Sequence, residues 1–74
     1  AVLQLPLHDG WAGRSVGDLE ERTGARIACI VRDGTAELPK HNTVQQAHDQ
    51  VYAAAVSGTV TDVTTAAATA PPHD

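Results

Sequence analysis

Apolar and polar positions alternate over the first seven residues, with Leu3, Leu5 and Leu7 on one side and Val2, Gln4 and Pro6 on the other. This pattern predicts a strand with one leucine face, and Pro6, which has no amide hydrogen, places it at an edge or near its end. His8-Asp9-Gly10 is turn chemistry. Ser15 followed by Asp18 has capping-box spacing and predicts a helix from Val16 to about Thr23. Val16 and Leu19 form its apolar stripe, Glu20, Glu21 and Arg22 face water, and Trp11 is expected to cover one end of the stripe. Gly24 suits the left-handed residue that closes a helix. From Ala25 the chain reads as a strand, with Ile27, Cys29 and Val31 on one face and Ala28 and Ile30 on the other, so it is expected to be central and buried on both sides. Asp33-Gly34 after it predicts a type I′ hairpin turn, since both residues tolerate positive φ.

Thr35 to Leu38 is then a short returning strand stopped by Pro39, and Lys40 to Asn42 is a polar connection. Val44 begins another extended piece in this reading, and Gln46-Ala47-His48-Asp49 is a turn. Gln50 to Val56 is a strand thinned by alanine, with Val51, Ala53 and Ala55 opposite Tyr52, Ala54 and Val56. Ser57-Gly58 ends it. Thr59 with Asp62 repeats the capping spacing ahead of a narrow stripe of Val60, Val63 and Ala67, although the threonines lower helix propensity. The predicted order is β-α-β-β-β-α: a small α+β domain over residues 1–68, with a mixed sheet and two helices, and a disordered tail over 69–74.

Alanine supplies 13 of the hydrophobic residues, with no Met or Phe, one Trp and one Tyr. A chain of 74 residues with so little large apolar side chain is near the lower limit for an independent core, so dimerisation or packing on another domain is expected. The absence of Met at position 1 favours a fragment of a longer protein. Cys29 has no partner for an internal disulfide and reads as a small buried apolar group in a reducing cytoplasm. No run is long enough to insert in a membrane. A net charge of −4 with five basic residues argues against a nucleic acid polymer as partner.

The chain offers no reaction chemistry. His8, His41, His48 and His73 are scattered, with no i, i+4 pair to present two imidazoles to a metal. No serine sits in a nucleophile-elbow context, and no glycine loop is built to cradle a phosphate. No cofactor and no enzymatic activity are therefore expected. Arg14, Arg26 and Arg32 are expected to gather around the capped helix start and the central strand, either as an anion site or as ordinary solubilising charge.

Gly13-Arg14-Ser15-Val16-Gly17-Asp18-Leu19, the run Gly24 to Gly34, Leu38-Pro39, Asn42-Thr43-Val44 and Asp49-Gln50-Val51-Tyr52 follow one another in the order and spacing of a known family. Over residues 2 to about 65 the chain resembles the RCK C-terminal (TrkA C-terminal-like) domain, the regulatory lobe of Trk-type proteins that control bacterial potassium channels, transporters and cation/proton antiporters. The resemblance implies the same β-α-β-β-β-α order, pairing as a homodimer, and a cytoplasmic place beside a membrane cation transporter or channel subunit. The nucleotide-binding lobe that normally precedes this domain is missing here, so no NAD or ATP site is carried over. In some members cyclic di-AMP binds at the dimer interface, and the matching positions here are Arg14, Ser15, Asp18, Arg26, Ile27 and Pro39. Glu20 stands where ligand-binding members tend to carry a basic residue, and His48 stands where the family's turn carries glycine. Two functions follow: a sensor of an anionic second messenger, or a ligand-free dimerisation and docking module.

Overall fold

The first helix forms because each of its ends is closed by a side chain or a backbone turn suited to the task. Ser15 Oγ accepts the Asp18 amide at 3.1 Å, the helix α1 runs Val16–Thr23, and Gly24 caps it at φ 79°. Buried Thr23 then turns the corner into the sheet, its hydroxyl donating to the Leu19 carbonyl and accepting the Ala25 amide. The computed structural model describes residues 1–71.

Four strands, β1 (Val2–Gln4), β2 (Arg26–Arg32), β3 (Thr35–Glu37) and β4 (Gln50–Ala54), form one sheet in the order β1-β4-β2-β3, and α2 spans Val60–Ala67. The α+β class and element order match the sequence reading. The sheet, however, is antiparallel throughout rather than mixed. β4 inserts between β1 and β2 and runs against both, which keeps those two strands from pairing in parallel. β2 and β3 are joined by the expected turn, with Asp33 at φ 52° and Gly34 at φ 79°.

The expectation of a β2 strand buried on both faces is corrected. A bulge between Ile27 and Cys29 pairs Ile27 with Ala53 but Cys29 with Tyr52, so Ile27 and Ile30 share a face and Cys29 and Val31 take the other. The first face carries the core. Leu5, Ile30, Val51 and Ala53 from the sheet side meet Val16 and Leu19 of α1 and Val63 and Ala67 of α2, with buried Trp11 among them. Both helices cover this face, and the opposite face has no layer of its own. The Cα trace measures 31 × 29 × 18 Å, the flat outline of one sheet and one helix layer.

Two further expectations change. Thr59 does not cap α2; it ends a 3-10 turn over Ser57–Thr59, and its hydroxyl donates to the Val56 carbonyl instead. The strands at 1–7 and 50–56 are shorter than the alternation suggested, because pairing stops at Gln4 and Ala54. Of the segment expected as a tail, Thr69 accepts the Trp11 indole N–H at 3.0 Å, while His73 lies outside the described residues.

Candidate functional site

The start of α1 is held by the connection between β3 and β4. Residues 41–45 run along residues 13–17 as a short antiparallel strap, with a bridge between Ser15 and Val44. The Gly13 amide donates to the Gln45 carbonyl at 2.7 Å, the Val16 amide to Thr43 at 2.7 Å and the Gly17 amide to His41 at 2.8 Å. With Asp18 taken by Ser15, the amides at this helix start are satisfied within the chain. The exposed His41 ring lies over Gly17, close enough that a Cβ there would make the ring swing aside.

Arg14, Ser15 and Asp18 are brought together at this end. The Arg14 Nε is 3.4 Å from the Asp18 carboxylate, and its guanidinium lies 6.0 Å from the Trp11 ring centroid. A shallow cleft of about 310 Å³ is lined by Trp11, Arg14, Asp18, Glu21 and Arg22, so it presents both signs of charge.

Arg26 and Ile27 lie past the other end of the helix. Eight residues at about 1.5 Å each separate the two groups by about 12 Å. Arg26 opens β2, is exposed, and makes no ion pair or side-chain hydrogen bond among the described residues. The Ile27 amide donates to Glu20 Oε2 at 2.9 Å, so a carboxylate of the chain itself already occupies that donor. Pro39, half-buried, enters the strap; the Lys40 amide after it donates to Thr43 Oγ1 at 2.8 Å. The six positions therefore form three groups: one at each helix end and Pro39 at the entry to the strap.

The expectation that the three arginines gather is corrected: Arg14 and Arg26 lie at opposite ends of α1, and Arg32 joins neither. It points to the far side of the strap, where Nε and Nη2 reach the two oxygens of Asp49 at 3.0 and 2.8 Å and Nη2 also donates to the Val44 carbonyl at 3.2 Å. Asp49 also accepts the Gln46 amide at 3.0 Å. The hydrogen bond from Arg32 holds the Asp49 carboxyl below its usual range, against the opposing effect of its burial, and raises Arg32 in return. Glu37 stands 3.6 Å from Arg32 on its more exposed side. The strap is thus fastened on one edge to the helix start and on the other to β2.

Gln45 and Asp49, which hold the strap, carry no sequence signal of that role. Gln45 is buried in a polar connection because its Nε2 donates to the Arg14 and Ser15 carbonyls. Its Oε1 accepts no hydrogen bond among the described residues. His48 does have a legible counterpart: it takes φ 71°, the conformation that the family's glycine favours. No group of His, Cys, Asp and Glu able to hold a metal occurs among the described residues, and no helix there is long and apolar enough to cross a membrane.

The family model described as the TrkA-C domain matches residues 2–66. The Trk system potassium uptake protein TrkA of Streptomyces coelicolor is 36% identical over 51 residues, covering 69% of this chain and 23% of that protein. The chain thus spans less than a quarter of that relative's length. No solved structure matches.

Proposed function

This chain belongs to the TrkA-C domain family, a regulatory and non-enzymatic one, and from that premise we propose that it senses a ligand and biases a potassium or cation/proton transporter. In this reading it acts on the cytoplasmic side as a homodimer, with cyclic di-AMP held at the two-fold interface. A ligand that prefers one conformation of the assembly shifts it by that preference and no more. The observation that carries the reading is Arg26: of the three arginines singled out from the sequence, it alone is left to solvent, while Arg14 and Arg32 meet Asp18 and Asp49. An exposed guanidinium at the start of a strand is free to meet a phosphate without first breaking an internal pair. The likeness to a potassium uptake protein of Streptomyces coelicolor supports the potassium side of the proposal.

A second reading, a ligand-free docking module, is favoured by two contacts. The strap occupies the helix-start amides, and Glu20 occupies the Ile27 amide beside Arg26. Calorimetric titration with cyclic di-AMP decides between them. The sensor reading expects one ligand per dimer, and Arg26→Ala weakens binding by about 1.5–3 kcal/mol with the fold intact. A ratio of one ligand per monomer, or an Arg26→Ala chain that binds as tightly as the parent, overturns that geometry; no heat at all leaves the docking module.

A further inference from the structure

We infer that the cleft between the chain just after β1 and the turn leading into β4 binds a small organic cation of the amidinium or guanidinium class. The cleft measures about 560 Å³, a volume typical of small-molecule sites. Leu5, Trp11 and Gln45, each buried, line it from within, and Leu7 adds a further apolar wall. None of the six positions carried over from the resemblance lines it, so this site is separate from the cyclic di-AMP reading and does not rest on it.

The lining selects the sign of the ligand. No Lys or Arg is part of it. Of its two carboxylates, Asp49 is already neutralised by Arg32, whereas the exposed Asp9 side chain makes no ion pair or hydrogen bond among the described residues. His8 accepts the Gly10 amide on Nδ1 at 2.9 Å, so its neutral ring carries its own hydrogen on Nε2. Asp9 is left as the uncompensated charge of the cleft. A cation is drawn in, and an anion is kept out.

Gln45 adds an independent demand for N–H donors. Its Nε2 donates to the Arg14 and Ser15 carbonyls at 3.1 and 3.2 Å, which fixes the side-chain amide and leaves Oε1 as the end without a partner. That oxygen is screened from water and accepts no hydrogen bond among the described residues. A buried acceptor without a donor is costly, and a ligand that brings its own N–H groups removes the cost. A planar amidinium or guanidinium holds several donors in one rigid plane and is more weakly hydrated than an ammonium, so it suits an acceptor set back among apolar groups. Its flat charged group also suits the Trp11 ring.

Titration of the chain with benzamidine at neutral pH, followed by two-dimensional amide NMR, tests it. Saturable shifts are expected at residues 8–12 and 45–49, with a dissociation constant of roughly millimolar order for so small a probe. The Gln45 side-chain NH₂ signals move with the same midpoint, because their amide accepts the new hydrogen bond. Benzamide, of the same shape but neutral, binds about tenfold more weakly, and benzoate does not bind. Asp9→Asn, which has no internal partner to lose, weakens benzamidine about fivefold or more, whereas Asp62→Asn, which removes the same charge from the exposed side of α2, changes it less than about twofold. Absence of saturable shifts, shifts spread over the whole surface, or equal binding of benzamidine and benzamide overturns the proposal. So do Gln45 signals that stay still, or an Asp9→Asn chain that binds as the parent does; each of these outcomes leaves the Arg26 reading standing.

Discussion

The two helices are of equal length and lie side by side on one sheet face, but they are held there by different means. α1 is closed at each end: Ser15 and the strap satisfy its first amides, and Gly24 ends it in the left-handed conformation. α2 has no side-chain cap, and its C-terminal flanking residue Ala68 stays right-handed. Thr64 turns its hydroxyl back on the Val60 and Thr61 carbonyls, and Thr69, just past the end of the helix, donates to the Thr65 carbonyl. What keeps α2 in place is tertiary: buried Val63 and Ala67, the His8 amide donating to the Ala67 carbonyl, and the Trp11 indole bonded to Thr69. Short helices are marginal by themselves. α1 is supported locally and by packing; α2 depends on packing almost entirely.

Core truncation tests that contrast with the largest effect. Leu19→Ala removes a fully buried side chain from the centre of α1 and is expected to cost about 2–5 kcal/mol. Against a total of about 0.05–0.15 kcal/mol per residue, that is a large share of the stability of so short a chain. Val63→Ala removes less volume and costs about 1–2 kcal/mol. Urea denaturation followed by the Trp11 fluorescence measures both. Because α2 has little local support, hydrogen exchange in Val63→Ala is expected to rise first in α2, whereas in Leu19→Ala it rises throughout the domain. Identical exchange patterns in the two variants would mean that both helices belong to one cooperative unit.

The same contrast explains what the sequence made legible. Signals confined to a few neighbours were read correctly: Ser15 with Asp18, Gly24, Asp33-Gly34, and the leucine face of the first strand. The bulge at Ala28 was not, because a single extra residue changes the alternation without changing composition, and only the register against β4 reveals it. Thr59 had the spacing of a cap but lost its hydroxyl to Val56 in the turn before it. The six positions carried over from the resemblance can be named one at a time in the sequence, but their arrangement cannot be read there. Arg32 and Arg14 are equally plain as arginines; only the fold places Asp49 opposite one and Asp18 opposite the other.

The strap comes next in expected effect. Asp49→Asn keeps the shape of the side chain but removes the charge that binds Arg32, and its loss lies between those of Leu19→Ala and a single helix cap. The sign with pH follows from the depressed Asp49 carboxyl. Its contribution is fully present above the ordinary Asp range, about pH 4, and is lost as pH falls through the lower folded value. Stability plotted against pH should therefore fall less in Asp49→Asn than in the parent over that acid window, with the two curves parallel above about pH 5. Loosening the strap also uncovers the amides of Val16 and Gly17, so exchange there is expected to quicken in the variant. An acid profile identical to the parent's would show that the Arg32-Asp49 pair does not fasten the strap in solution.

The smallest effects bear most directly on the comparison, because they concern the caps alone. Ser15→Ala leaves the Asp18 amide to water and is expected to cost about 1 kcal/mol, the usual value for a lost N-cap. Thr59→Ala, at the matching position of α2, removes a hydroxyl that caps nothing and lies exposed, so its cost stays within about 0.5 kcal/mol. Ser15→Ala removes one oxygen just before its eight-residue helix, and Thr59→Ala removes an oxygen and an exposed methyl just before the other, so neither opens a cavity in the core. Denaturant midpoints at fixed slope give the two values on one scale. If Thr59→Ala cost as much as Ser15→Ala, α2 would draw on the residue before it as α1 does, and the division between a locally closed helix and one held by its neighbours would fail.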